Sequence, residues 1–194
     1  MELVFATNNA HKLDEVKTIA GRKLEIVSLK NIGYFKEIPE TSGTIAGNAL
    51  QKARTVFGEI GNACFADDTG LEISALHGLP GVDTAHYAGP ERDAIANMEK
   101  VLQELQPFND RSARFITVIA FVNSSGEWIF EGEVKGEIAN QMKGEGGFGY
   151  DPIFIPEGHS ETFAELNPKV KNVISHRARA LKLFTSYLTD LHLI

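Results

Sequence analysis

The sequence predicts an α/β domain built on a long mixed β-sheet with flanking helices, and two observations support this fold class. Short apolar runs typical of buried strands alternate with segments of helical periodicity along most of the chain. Two long β-prone runs, Arg114–Val122 and Glu127–Ile138, flank the turn Ser124–Gly126 and predict an antiparallel hairpin. A hairpin combined with helix-connected strands makes the sheet mixed rather than purely parallel.

The first half of the chain opens with a short apolar strand, Leu3–Ala6, and a polar loop that runs into a helix ending at Gly21. A second strand is predicted at Leu24–Leu29. Thr44 is a favourable cap for a helix running to about Phe57, because apolar residues recur there at helical spacing.

The next strand, Ala63–Ala66, is of the buried type, and we expect the acidic pair Asp67 and Asp68 to end it. The remaining predictions are a helix at Glu91–Leu105 after a Gly- and Pro-rich loop, a short strand at Pro152–Ile155, and a last helix capped by Ser175 and reaching about Leu188.

Composition narrows the class of protein. The 194 residues fit a single domain over 1–194, and one cysteine, Cys64, inside an apolar run predicts a buried thiol in a reducing, cytoplasmic setting. A net charge of −7 is unfavourable for holding nucleic acid. No run is long and apolar enough for a membrane span.

The acidic segment Asp67–Gly70 has two interpretations. Asp, Thr and Gly all favour turns, so the segment could be a turn only. Adjacent carboxylates after a buried strand also suit Mg²⁺, which binds one or two carboxylates together with substrate phosphates. Glu40, in a loop after Pro39, is a candidate second ligand or a solvated acid.

The segment Gly144–Gly149 matches G-x-G-x-x-G, but Tyr150 and the residues after it do not begin the helix that a dinucleotide site requires. We therefore reject that interpretation. The segment is either a plain turn or a ligand loop, and Phe148 favours the ligand loop, because an aromatic ring among glycines has few neighbours to bury it.

Two cations, His176 and Arg177, fall in the first turn of the last helix, where the helix dipole disfavours positive charge by about 0.3–1 kcal/mol each. They form either a solvated pair or, with Lys171 and Ser175, a donor-rich recognition site. In the same way, Lys12 and Lys52 could be exposed helix residues or ligand contacts.

Taken together, these motifs resemble the inosine triphosphate pyrophosphatases, also called non-canonical purine or XTP/dITP pyrophosphatases. The resemblance spans nearly the whole chain and follows the family's order. The matching segments are Thr7–Lys12, Asn48–Ala53, Ala66–Leu71, Gly78–Val82 with Tyr87–Gly89, Phe148–Pro152 and Ser175–Arg177.

The resemblance implies two lobes with an active-site cleft between them, a homodimer, Mg²⁺ as cofactor, and hydrolysis of a nucleoside triphosphate to its monophosphate and pyrophosphate. It implies that Glu40 and Asp68 hold the metal, that Asp68 accepts a proton from the attacking water, and that Lys52 assists at the phosphates. The implied substrate contacts are Thr7, Asn8, Asn9, Ala10, His11, Lys12, Thr69, Phe148, Gly149, Tyr150, Asp151, Lys171, Ser175, His176 and Arg177.

The base preference has a physical basis. Hypoxanthine and xanthine carry an oxo group where adenine carries an amine, so donors from Ser175, His176 or Arg177 would pair with the former and lack a partner in the latter. Guanine shares the oxo group, and the sequence does not show how it is rejected.

The alternative functions are those of a related pyrophosphatase for pyrimidine or modified-base triphosphates and of a non-catalytic nucleotide sensor. An RNA-binding module is disfavoured by the acidity of the chain.

Overall fold

The structure is a computed structural model that describes residues 2–21 and 24–194. Within those residues, strands and α-helices alternate through most of the chain, as predicted. The strands are β1 Glu2–Phe5, β2 Glu25–Ser28, β3 Cys64–Ile73, β4 Pro80–Gly81, β5 Ser112–Asn123, β6 Gly126–Ile138 and β7 Phe154–Pro156. The helices are α1 Ala10–Ala20, α2 Ile45–Ile60, α3 Ala94–Glu104, α4 Pro168–Ile174 and α5 His176–Asp190.

The described strands form one sheet in the order β2-β1-β3-β5-β6-β7, with β4 paired to β3. Strand β1 runs parallel to β2 and to β3, whereas β3 with β4 and β6 with β7 are antiparallel pairs. The predicted α/β class with a mixed sheet is therefore confirmed.

The chain divides into two compact units. Unit 1 comprises Met1–Asp68, Thr117–Gly132 and His176–Ile194, and unit 2 comprises Thr69–Ile116 and Glu133–Ser175. Strands β3, β5 and β6 contribute residues to both units.

In unit 1, side chains alternate between the two faces of β3. Phe65 stacks on Phe5, with ring centroids 4.6 Å apart, and contacts Phe184 of α5 at 5.1 Å. On the opposite face, the Cys64 thiol donates to the carbonyl of Ala53 in α2. This alternation continues through the acidic pair, since Asp67 contacts residues of α1 and α5 while Asp68 contacts α2.

Unit 2 has its own aromatic core. The rings of Phe115, Phe154 and Phe163 contact one another, with the shortest centroid distance 4.7 Å. Helix α3 adds Met98 and Val101 to this core.

Several element boundaries are confirmed. Gly21 ends α1 and Thr44 caps α2, where the Thr44 hydroxyl accepts from the Gly47 amide at 3.0 Å. The hairpin β5–β6 lies where the sequence placed it. The short strand predicted at Pro152–Ile155 is observed as β7, which begins two residues later, at Phe154. The reason is that Asp151–Ile153 forms a 3-10 turn.

One boundary prediction is wrong, and one short helix was not predicted. Asp67 and Asp68 do not end a strand, because β3 runs through them to Ile73; buried cations pair both carboxylates, so the strand can continue without unpaired charge. Ser175 directly precedes α5, as expected of its cap, but it also follows a short helix, α4, which the sequence did not predict. Pro168 at the start of α4 and the Asn167 cap were the available signals.

Candidate functional site

Seven charged side chains of unit 1 gather around β3, and we call them the carboxylate–cation cluster. The cluster comprises Lys12, Glu15, Glu40, Lys52, Asp67, Asp68 and Arg177. Three cations face four carboxylates, so the cluster carries one excess negative charge when all are ionised. Strand β3 supplies the two central acids, and α1, α2, α5 and the loop before α2 supply the rest.

Asp67 uses both carboxylate oxygens inside the protein. Oδ1 accepts from Lys12 Nζ at 3.1 Å, and Oδ2 accepts from Arg177 Nε at 3.0 Å. Burial acts to raise the pKa of Asp67, but Lys12 and Arg177 outweigh it, so this pKa lies far below its ordinary value. Asp67 is therefore an ionised anchor for two cations.

Arg177 is almost fully buried, and its guanidinium donates to Glu15 of α1 as well as to Asp67, so its buried charge is paired. The possibility of a solvated surface pair at His176 and Arg177 is thereby excluded, since both side chains are buried. Glu15 was not singled out in the sequence. Its position three residues after Lys12 in α1 was the available signal, because residues three apart share a helix face.

The second pair of acids meets at one lysine. Lys52 Nζ donates to Glu40 Oε2 at 2.9 Å and to Asp68 Oδ1 at 3.0 Å. The side chains of Lys52 and Asp68 are only 8% and 10% exposed, whereas that of Glu40 is 36% exposed. Glu40 is therefore the solvent-facing member of the three.

The pKa shifts of this group follow from burial and from the shared ammonium. Burial raises the pKa of Asp68 despite the opposing charges of Lys52 and Lys12. Burial also acts to raise the pKa of Glu40, but Lys52 outweighs it and the pKa falls below its ordinary value. For Lys52, burial acts to lower the pKa, and the two carboxylates reverse the shift.

The segment Thr7–His11 lies at the start of α1. The Asn9 side chain caps the helix by accepting from the Lys12 amide at 3.1 Å, and Thr7 Oγ1 accepts from the Asn9 amide at 3.2 Å. Asn8, Asn9, Ala10 and His11 are exposed, and Thr7 is half-buried. Burial lowers the pKa of Lys12, although Asp67 opposes the shift.

A second group of candidate residues lies in unit 2. Asp151 Oδ2 accepts from the Phe148 amide and from Lys171 Nζ, both at 2.7 Å. Lys171 Nζ also lies 5.1 Å from the centroid of the Phe148 ring, within the range of a cation–π contact. Phe148 is half-buried, while Asp151 and Lys171 are buried. The structure thus brings these three predicted residues together.

Glycine is required next to this carboxylate. A Cβ on Gly147 would lie 2.0 Å from Asp151 Oδ2, and its φ of +72° favours glycine. Tyr150 is buried, and its hydroxyl donates to the Thr84 carbonyl at 2.8 Å. Tyr150 therefore fixes this loop from inside unit 2, and Gly149 beside it is half-buried.

The remaining predicted residues lie at other points of the two units. Thr69 continues β3 and is half-buried, Ser175 is fully buried between α4 and α5, and His176 begins α5 and is buried.

The carboxylates of the carboxylate–cation cluster are the candidate ligands for a metal ion. Within residues 2–21 and 24–194, no three His, Cys, Asp or Glu side chains gather closely enough to hold an ion by themselves. Glu40 and Asp68 converge on one Nζ, and two carboxylates are what Mg²⁺ takes from a protein when phosphates and waters complete its shell. The donor set therefore fits Mg²⁺ bound together with a phosphate ligand.

In the part of the chain that the structure describes, no helix has the length and apolarity of a membrane span.

Known proteins are similar to this chain along nearly its entire length. The chain is 50% identical over 188 residues to the dITP/XTP pyrophosphatase of Porphyromonas gingivalis, covering 96% of this chain and 97% of that protein. It is 47% identical over 189 residues to the dITP/XTP pyrophosphatase of Flavobacterium johnsoniae, with 97% and 98% covered.

Solved structures also resemble this chain along nearly its entire length. The Staphylococcus aureus Ham1 protein superimposes with a TM-score of 0.89 at 36% identity, covering 98% of this chain and all of that one. The model of the Ham1 family matches residues 3–187. The chain therefore belongs to the Ham1 family.

Proposed function

We propose that the protein hydrolyses non-canonical purine nucleoside triphosphates, those of inosine, deoxyinosine and xanthosine, to the monophosphate and pyrophosphate. Relatives of almost equal length carry the name dITP/XTP pyrophosphatase. The observation that carries the proposal is the convergence of Glu40, Lys52 and Asp68, because it supplies two carboxylates and a cation at one point.

Glu40 and Asp68 are the residues that would hold Mg²⁺, which when bound would supply charge neutralisation at the phosphates. The net charge of the carboxylate–cation cluster supports a role for this cation. A cluster with one excess negative charge does not by itself attract a polyanionic triphosphate, so a divalent cation has to offset the repulsion.

Asp68 is proposed as the proton acceptor for the water that attacks the α-phosphorus. A general base works best when its pKa lies closer to the working pH, and burial raises the pKa of Asp68 in that direction. Lys52 holds Asp68 Oδ1 at 3.0 Å, which orients the carboxylate. The other oxygen of Asp68 is the one assigned to the water.

The phosphates are assigned to the segment Thr7–Lys12 and to Lys52. The exposed start of α1 has no acidic residue in its first turn, so its amides and dipole favour an anion. Thr69, next to Asp68 in β3, is proposed to contact the substrate as well.

The base is assigned to the unit 2 group. The Phe148 ring offers a flat surface for stacking, and Lys171 and Asp151 fix its position. Gly149 and Tyr150 form the adjoining wall. Ser175 and His176 supply donors for the oxo group, whereas Arg177 donates to Asp67 and Glu15 and is proposed to act through them.

A homodimer in the cytoplasm completes the proposal. A free, buried cysteine is compatible with a reducing compartment. Light scattering after size-exclusion chromatography decides the oligomeric state: a mass near twice 21.3 kDa supports the dimer, and a mass near 21.3 kDa rejects it.

The test of the activity is pyrophosphate release, with and without Mg²⁺, from the triphosphates of inosine, xanthosine, guanosine, adenosine and uridine. We expect the first two to be cleaved at least tenfold faster than the others, and only with Mg²⁺. Preference for uridine would favour a pyrimidine enzyme. Tight binding without release would favour a sensor.

A further inference from the structure

Helix α2 holds the segment before it through a series of side-chain contacts. Gln51 Oε1 accepts from the Thr41 amide at 2.8 Å, and Gln51 Nε2 donates to Thr41 Oγ1 at 2.9 Å. Asn48 Oδ1 accepts from the Ser42 amide at 2.9 Å. Three successive residues, 40, 41 and 42, are thus fastened to α2, since Lys52 already holds Glu40.

The same segment is packed closely against the first turn of the helix. Ser42 Oγ donates to the Thr44 carbonyl at 3.0 Å and accepts from the Thr44 amide at 3.3 Å. A Cβ on Gly47 would lie 2.3 Å from Ser42 Oγ, so only glycine permits this approach. The segment Glu40–Thr44 therefore has a defined position relative to α2.

The Gln51 contacts are not needed to satisfy a buried backbone group, whereas the Ser42 amide also pairs the buried side chain of Asn48. Thr41 and Ser42 are exposed, so water could bind their amides equally well. The contacts instead restrict where the backbone of Glu40 can lie. The Lys52 ion pair fixes the carboxylate end of the Glu40 side chain, whereas Gln51 and Asn48 hold the backbone that follows it.

We propose that Gln51, assisted by Asn48, is a positioning residue that places the Glu40 carboxylate beside Asp68 for metal binding. This inference rests on the proposed function, in which Glu40 is a metal ligand. A ligand held in place before the ion arrives loses less conformational entropy on binding, so fixing Glu40 raises metal affinity. Gln51 itself contacts neither metal nor substrate in this proposal.

The experiment measures metal affinity without turnover. Mn²⁺ binding is followed by electron paramagnetic resonance in the presence of inosine 5′-(α,β-methylene)triphosphate, which cannot be cleaved between the α- and β-phosphorus. Gln51→Met keeps the side-chain length and removes both amide contacts. We expect it to weaken Mn²⁺ binding about tenfold, which corresponds to about 1.4 kcal/mol, and to raise the half-saturating Mg²⁺ concentration for pyrophosphate release by the same factor.

Two further variants sharpen the result. Thr41→Val removes only the hydroxyl contact, and we expect a smaller loss of about two- to threefold. Because both changes act through the same contact, the double variant is expected to match Gln51→Met alone rather than to multiply the two effects. Gln103→Met, at an exposed glutamine of α3, is the matched control and should bind Mn²⁺ like the wild type. If Gln51→Met does not fold by circular dichroism, Thr41→Val decides the question.

The outcomes separate this inference from the proposed activity. Unchanged Mn²⁺ affinity in both variants overturns the inference, and so does a wild type that binds no Mn²⁺ with the nucleotide. If affinity falls as expected but the wild type releases no pyrophosphate, the positioning role stands and the proposed reaction fails.

Discussion

At the scale of single residues, Asp67 has the most clearly defined role. It is 1% exposed and joins a cation of α1 to a cation of α5 through its two oxygens. The sequence indicated a ligand role for the pair Asp67 and Asp68, but it did not show which of the two would anchor cations. That difference depends on which face of β3 each side chain occupies, and the sequence did not reveal that β3 continues through both.

Replacing the anchor should cost stability. In Asp67→Asn, Lys12 and Arg177 lose a buried counter-charge, so we expect the free energy of unfolding to fall by about 3–5 kcal/mol. Urea denaturation measures the change. Asp14→Asn, at an exposed position of α1, is the control and should change stability by less than about 0.5 kcal/mol. Equal effects in the two variants would contradict the anchoring role.

The same residue gives stability a pH dependence. The pKa of Asp67 in the folded protein lies below the value of about 3.9 for an unfolded aspartate. Its contribution is therefore fully present above that pH and is lost as the pH falls further. Unfolding followed from about pH 5 down to about pH 2 should show a loss of stability that is smaller in Asp67→Asn. A parallel loss in both proteins would assign the acid sensitivity to other groups.

The thiol of Cys64 should be inert. It is fully buried, and burial raises its pKa to about 12, so almost no thiolate exists at pH 8. Ellman's reagent is expected to leave the native protein unlabelled and to label one thiol per chain in denaturant. Rapid labelling of the native protein would show that this face of β3 opens readily.

At the scale of elements, the sequence predicted α1, α2, α3, α5 and the hairpin, because caps and periodic apolar residues mark them. Helix α4 and the length of β3 were missed for physical reasons. Seven residues give too little periodicity to detect a helix, and a strand with two adjacent acids is stable only with cations that come from distant segments.

Two glycines of α2 provide an internal comparison. Alanine in a helix interior is normally favoured over glycine by about 0.5–1 kcal/mol. Gly58→Ala should show this gain, because nothing lies within 4 Å of its added Cβ. Gly47→Ala should instead destabilise the protein by about 1–3 kcal/mol, because the Cβ would lie 2.7 Å from the Cβ of Ser42. Thermal unfolding of the two variants decides the point, and a gain at both would show that Ser42 moves aside freely.

At the scale of the whole molecule, cationic side chains of an acidic protein gather at one place, although the carboxylates around them are more numerous. The net charge is −7, yet Lys12, Lys52 and Arg177 are all drawn into one cluster of unit 1. The sequence showed these cations only as scattered residues. Their convergence depends on β3, because α1 and α5 contact one face of this strand at Asp67 and α2 contacts the other face at Asp68.

The candidate residues of unit 2 were easier to predict. Phe148, Asp151 and Lys171 lie within 24 residues of one another, and the Asp151 carboxylate joins the loop that carries Phe148 to helix α4, which carries Lys171. What the sequence could not give was the internal role of Asp151, which holds Phe148 and Lys171 at once. That role depends on a glycine turn whose shape follows only from the folded chain.

The measurement that tests the central claim most directly is hydrolysis of inosine triphosphate in ¹⁸O-labelled water, with the products analysed by mass spectrometry for the wild type and for Asp68→Asn. If Asp68 activates water for attack at the α-phosphorus, all label appears in inosine monophosphate, none appears in pyrophosphate, and the variant is slower by about 10²–10⁴-fold. Label in pyrophosphate or orthophosphate, or an undiminished rate in Asp68→Asn, would contradict the account.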